Sequence, residues 1–187
     1  MSLFSTTGAT ESTGGKYINF DGVSSKGRTS ESVTYTFDVN TIQFWFNPTR
    51  NPGNGSWIVS GGDIFSFQYW DWCFIIQNSN TFEASGSAGN GTTVTRSLSQ
   101  MPLNNWYFVT IIRNNGTVNP LQLQIDEGTP STGTRGTTGS AVGKIIRINA
   151  NGNGGCKFGQ IICYNRALNS SEISQNYNFY KSKYKPT

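Results

Sequence analysis

Lys157-Phe158-Gly159-Gln160-Ile161-Ile162-Cys163-Tyr164-Asn165-Arg166-Ala167-Leu168-Asn169-Ser170-Ser171-Glu172-Ile173 is the stretch on which the fold turns. Its first half has the aromatic and β-branched content of a strand. Residues 164–168 stop that strand, and a helix signal follows at once. Asn169 stands as an N-cap, and Glu172, three residues on, completes a capping box. Ile173 and Tyr177 then fall four residues apart on one helical face. The predicted role of this helix, the only one the sequence supports, is to close one edge of a β-structure.

Upstream, short strands follow one another. They are predicted at 16–20, 33–39, 41–47, 57–60, 64–69, 72–77, 81–85, 92–97, 106–113, 121–125, 145–148 and 158–164. In the third of these, Ile42, Phe44 and Phe46 share one face while Gln43, Trp45 and Asn47 share the other. Asn-Gly pairs begin at Asn54, Asn90, Asn115, Asn151 and Asn153, and such pairs suit tight antiparallel hairpins because both residues tolerate positive φ. This inventory predicts an all-β fold, a two-sheet antiparallel β-sandwich of jelly-roll type with a short C-terminal helix. Residues 127–143 are too polar for a core strand and are predicted to form a long loop. Residues 1–15, rich in Ser, Thr and Gly, have little to bury and are expected to be an N-terminal arm docked on the domain or on a neighbour. Residues 16–187 form the expected single domain.

Composition narrows the functional classes. Of 187 residues, 13% are charged, about half the usual share, and the net charge of +4 is spread except at Lys181, Lys183 and Lys185. Without a clustered basic patch there is no case for nucleic acid. No apolar run reaches the length of a membrane span, and the first residues lack a basic and an apolar region of the signal-peptide kind. Synthesis in a cytoplasm without standard export is therefore expected. Three cysteines, Cys73, Cys156 and Cys163, give no disulfide framework. Cys73 and Cys163 sit in apolar runs and read as small buried hydrophobes. Sequons at Asn54, Asn90, Asn115 and Asn169 read as turn chemistry.

Five segments in order resemble the laminin G-like members of the concanavalin A-like lectin/glucanase superfamily. They are Tyr17-Ile18-Asn19-Phe20-Asp21-Gly22, Tyr35-Thr36-Phe37 with Ile42-Gln43-Phe44-Trp45-Phe46-Asn47-Pro48, Leu103-Asn104-Asn105-Trp106-Tyr107-Phe108-Val109, Leu121-Gln122-Leu123-Gln124-Ile125-Asp126-Glu127-Gly128, and 159–173. The resemblance implies a laminin G-like jelly roll, in which Trp45 and Trp106 read as sandwich-core anchors. The sequence departs from the pattern in three places. Ile162 and Cys163 stand where an acid is usual, Tyr107 follows Trp106 in place of His, and Glu127 is inserted before Gly128.

Catalytic chemistry is poorly supplied. Histidine is absent, which removes histidine acid–base work and most zinc sites. The alternating carboxylates of the superfamily's glucanases are missing, and the adjacent Asp126 and Glu127 would point to opposite faces of a strand. The chain is therefore expected not to be an enzyme and to need no cofactor. A structural calcium is the one metal considered, with Asp21, Asp63 and Asp71 as candidate oxygen ligands. Trp57, Trp70 and Trp72 are candidate stacking faces for glycans, because alternation in an extended Trp70-Asp71-Trp72 sends both indoles to one face.

Two functions follow from different classes. The first is a non-enzymatic virion protein of a tailed phage, a capsid decoration, knob or tail component. It would be oligomeric in the particle, with the major capsid or tail protein as partner. Contact would run through the arm and the 127–143 loop. The second is a carbohydrate-binding, lectin-like module for host-surface glycans. A lectin would expose an aromatic and polar cleft, whereas a decoration protein would bury its arm or a broad loop face.

Overall fold

Apolar and polar residues alternate from Val39 to Pro48, and in the computed structural model this stretch is the middle strand of one of two stacked sheets. The structure describes residues 4–7, 10–12, 16–21, 26–29, 39–50, 56–62, 70–77, 81–85, 93–97, 102–114, 121–133, 145–148 and 155–185. Among them are β1 (Phe4–Thr7), β2 (Thr10–Glu11), β3 (Ile18–Asp21), β4 (Lys26–Thr29), β5 (Val39–Pro48), β6 (Ser56–Gly62) and β7 (Trp70–Gln77). There follow β8 (Thr81–Ser85), β9 (Thr93–Ser97), β10 (Tyr107–Asn114), β11 (Leu121–Ile125), β12 (Ser131–Gly133), β13 (Ile145–Ile148), β14 (Gly155–Tyr164) and α1 (Ser170–Tyr184). The predicted strand at 64–69 and the five Asn-Gly turns lie outside the described residues.

The first sheet runs β1-β4-β13-β6-β7-β8-β9 and the second β12-β11-β10-β5-β14-β3-β2. The pairings are antiparallel, and β9 lies against β11 and β12, so the two sheets stack with these edges together. The architecture is the antiparallel jelly-roll sandwich that the sequence predicts, with one C-terminal helix.

The even positions of β5 build the inner face. Phe44, Phe46 and Phe20 surround Phe158 with ring centroids 5.2, 5.8 and 6.4 Å away, and all four are buried. The odd positions face the other way, yet Thr41, Gln43 and Trp45 are equally buried. Helix α1 is the reason, since it lies across the outer face of the second sheet. Asn176 Nδ2 donates to Gln43 Oε1 (2.6 Å) and to Tyr164 Oη (2.9 Å), and Gln43 Nε2 donates to Thr110 Oγ1 (3.1 Å). The buried amide is thus paired at both ends, which is what makes its burial tolerable. Thr41 Oγ1 donates to the Arg166 carbonyl (2.8 Å) and accepts from the Leu168 N–H (3.0 Å), fastening the turn before the helix.

Apolar contacts complete this second core. Trp45 stacks on Tyr177 and Tyr184 at 5.7 and 4.8 Å and tilts against Phe108 at 5.1 Å. Ile112, Leu168 and Ile173 form a neighbouring cluster. Trp45 is therefore an anchor between sheet and helix rather than between the sheets. Trp106 packs on the margin of the same cluster and is only partly buried.

The capping box is present as predicted. Glu172 N donates to Asn169 Oδ1 (3.0 Å) and Asn169 N to Glu172 Oε2 (2.9 Å). Asn169, one of the sequons, serves as the helix cap.

The described part of 1–15 docks on the domain itself: Phe4–Thr7 pair with β4 and Thr10–Glu11 with β3, so the segment ends one edge of each sheet. Two expectations need correction. The 127–143 loop contains β12, which pairs with β11 because an edge strand needs only one buried face. Cys163 is exposed, although the register shift between Phe158 and Ile161 sets it opposite Ile42 of the inner face. Cys156 is buried, and both thiols are free. The Cys73 side chain lies outside the described residues. No helix among the described residues is long and apolar enough to cross a membrane.

Candidate functional site

Leu103-Asn104-Asn105-Trp106 leads into β10, and its conformation is set by two backbone features. Asn104 adopts a positive φ of 63°, which asparagine tolerates better than most residues, and its N–H donates to the Pro48 carbonyl (2.7 Å). The turn thereby presents Asn104 and Asn105 to solvent while Trp106 falls back on the sheet. Helix α1 ends opposite. Its last turn brings Tyr184 and Lys185 against the same spot, and the six residues Asn104, Asn105, Trp106, Tyr107, Tyr184 and Lys185 line an open cleft of about 400 Å³.

The floor is rigid. Tyr184 Oη accepts from Gln160 N–H (2.7 Å) and donates to the Lys16 carbonyl (3.2 Å), and the ring contacts both Trp45 and Trp106 at 4.8 Å. Gly159 makes room for it, because a Cβ there would stand 2.5 Å from the Tyr184 ring. Burial raises the Tyr184 phenol above its ordinary pKa. The same cause, burial first, raises Tyr107, whose hydroxyl donates to the Pro102 carbonyl (3.0 Å). Both phenols therefore stay neutral near pH 7.

The wall is electrostatic. Lys185 Nζ lies 2.7 Å from Asp126 Oδ2 and 5.5 Å from the Tyr107 ring centroid. Asp126, itself at a positive φ of 53°, accepts the Phe108 N–H through its other oxygen (2.9 Å). The turn Asp126-Glu127-Gly128, closed by Gly128 N–H to the Ile125 carbonyl (3.0 Å), is what the inserted Glu127 produces. Asp126 thus clamps the helix end to β10, and both its oxygens are engaged.

The cleft offers an indole face, two exposed side-chain amides and a lysine. A flat apolar surface beside neutral donors and acceptors suits a ligand with one apolar face and a rim of hydroxyls.

The sequence-predicted glycan residues do not gather in one place. Trp57 pairs with Ile75 near one end of the β6–β7 ladder, while Trp70 and Trp72 pair with Gly62 and Gly61 at the other. Between those last two pairs Asp71 has no partner position, so a bulge interrupts the alternation on which the shared-face argument rests. Asp21 and Asp71 stand on different sheets, on β3 and β7. With β9 over the β12 edge, the strands β7 and β3 are several strand spacings apart, at about 4.8 Å per strand. Asp63 lies outside the described residues. No group of three or more metal-ligating residues occurs among the described residues.

The sequence reading missed Asn104, Asn105 and the pairing of Tyr184 and Lys185 with Trp106. The available signal was the Asn-Asn pair directly before an aromatic strand; what it lacked was the helix end that completes the cleft.

The chain has relatives at the level of fold. Among solved structures it resembles the receptor-binding domain of botulinum neurotoxin mosaic serotype C/D (TM-score 0.71, 15% identity, 94% of this chain and 45% of that one). It also resembles botulinum neurotoxin type C, described as depending on two ganglioside molecules to enter cells (TM-score 0.73, 16% identity, 94% and 46%). A third is the binding domain of botulinum neurotoxin DC in complex with SialylT (TM-score 0.72, 15% identity, 94% and 46%). The chain spans less than half the length of each, and at such identity the likeness is one of fold. No curated protein matches it in sequence. The family model described as "Concanavalin A-like lectin/glucanases superfamily" matches residues 13–174, and the chain belongs to that superfamily.

Proposed function

We propose that this chain is a non-enzymatic carbohydrate-recognition module and that the cleft between the 102–106 turn and the end of α1 takes the sugar. The observation that carries this reading is the juxtaposition of the Trp106 indole with Asn104, Asn105 and Lys185 over a Tyr184 floor held by two hydrogen bonds. A floor fixed before binding spares the ordering cost of forming the site. That structural neighbours are described with gangliosides and with SialylT is consistent with a glycan ligand. Turnover is not part of the proposal, because Asp126, the one carboxylate known to face this wall, already serves Lys185 and the Phe108 N–H.

The test is a glycan array probed with the 187-residue chain and with Asn105→Ala, whose side chain is exposed apart from its hydrogen bond to Tyr107, with a thermal melt of the variant to check that the fold is kept. Binding by the wild type that weakens about tenfold in the variant supports the site. An array that stays blank, or equal binding by both, overturns it. Incubation with laminarin and related glucans should release no reducing ends.

A second reading, a structural virion subunit, is favoured by one observation. Phe179 is 75% exposed and stacks edge-on against Tyr180 at 4.8 Å, which leaves an aromatic edge on the solvent side of the helix. An assembly contact there predicts co-sedimentation with a parent particle that Phe179→Ser abolishes.

A further inference from the structure

Two rings of the cleft, Trp106 and Tyr184, belong to a row of rings with a cation at each end. Tyr17 lies 5.6 Å from Trp106, and Trp106 lies 4.8 Å from Tyr184. Lys157 Nζ stands 5.5 Å over the Tyr17 ring at one end, and Lys183 Nζ stands 5.4 Å over Tyr184 at the other. Register explains the placement. Lys157 pairs with Asn19 on one side and Asn47 on the other, so it shares their face of the sheet, the face α1 covers. The helix ends at Tyr184, short of this corner, and leaves Tyr17, Trp106 and Lys157 only partly covered.

The charges at this corner are unequal. Asp126 is bound to Lys185, whereas among the described residues no carboxylate pairs with Lys157 or Lys183. Their recorded neighbours are rings, which hold an ammonium in position without neutralising it.

We propose that the ligand of this cleft is an acidic saccharide, whose ring lies on Trp106 and Tyr17 and whose carboxylate or sulfate is received by Lys157 or Lys183. The inference rests on the carbohydrate reading of the cleft and narrows it to one ligand class. A neutral sugar would satisfy the indole and the amides but leave both ammonium groups with rings alone. An anion converts a solvated lysine into a charge-assisted partner.

An array of matched sets tests this, each neutral oligosaccharide spotted beside its sialylated, uronic-acid and sulfated forms. The wild type should prefer the acidic member of a set by about tenfold. The carboxylated and sulfated arms tell which anion is read. Raising NaCl should weaken acidic binding and spare neutral binding. The double variant Lys157→Gln, Lys183→Gln should lose the preference, and Lys157→Arg, Lys183→Arg should keep it. Equal binding to neutral and acidic members, or a preference the double Gln variant retains, overturns the inference while leaving the carbohydrate reading intact. A blank array overturns both.

Discussion

At the residue scale, the two tryptophans of the second core should behave differently. Trp45 is fully buried between β5 and α1, and Trp45→Ala should cost about 3–5 kcal/mol in denaturant unfolding. Trp106 keeps an accessible face, so Trp106→Ala should cost roughly half as much. Their sequence contexts look alike, and both read as core anchors; which of them a helix would cover was not legible, because that depends on where α1 ends. Gly159 carries a further prediction. A methyl group there would press on Tyr184, which is pinned on both sides, so Gly159→Ala should destabilise by about 1–3 kcal/mol, as overpacking does. A melt unchanged from wild type would show that Tyr184 can move aside. The free cysteines should also separate. Full burial pushes the Cys156 thiol far up, and it should alkylate only on unfolding. Cys163 offers an exposed surface, yet burial around its sulfur pushes the thiol up to about 11. The exposed surface decides access and the raised pKa decides rate, so slow labelling of Cys163, and none of Cys156, is expected by mass spectrometry of the native protein.

At the element scale, α1 is the part of the fold that the sequence declared most openly. Asn169 and Glu172 announce the cap, and the spacing of Ile173 and Tyr177 announces the buried face. Hidden from the sequence was the polar lock beneath it. Gln43 reads as a solvent-facing residue of an alternating strand, but Asn176 and Thr110 take it into the core. Asn176→Ala should leave that buried amide short of a partner and cost about 1–3 kcal/mol. The helix start has its own pH signature. Glu172 is depressed from 4.5 to about 2, first by the Arg166 guanidinium at 2.7 and 2.8 Å and then by the Asn169 N–H. A carboxylate whose folded pKa is lowered supports the folded state above its unfolded pKa, and that support fades as pH falls through the folded value. The protection of the first-turn amides of α1, taken relative to their intrinsic exchange at each pH, should therefore fall between about pH 5 and 2. The effect should be modest, because the pair is solvent-exposed, and absent in Glu172→Gln.

At the scale of the whole molecule, strand alternation was enough to predict two antiparallel sheets, and five motif segments in order pointed to the superfamily. The edges were not legible. Residues 4–7 and 10–11 carry no alternating hydrophobic pattern and 131–133 lies in a polar stretch, so pairing at the sheet edges left no signal in the sequence. Deleting residues 2–15 should accordingly lower the melting temperature by opening a fresh edge on each sheet, and wild-type stability in that deletion would mean the pairings contribute little. The candidate site was half legible. The asparagines and Trp106 are adjacent in sequence, but Tyr184 and Lys185 reach them from the far end of the chain, and only the packed helix joins the two. If the cleft takes the sugar, this junction, and not the tryptophans of β6 and β7, meets the ligand. A titration of the isotope-labelled chain with the best glycan from the array, followed by amide and indole NMR shifts, decides between them. Saturable changes are expected at residues 104–107, at Tyr184 and Lys185 and at the Trp106 indole; changes confined to Trp57, Trp70 and Trp72, or none at any concentration, would overturn the cleft as the binding site.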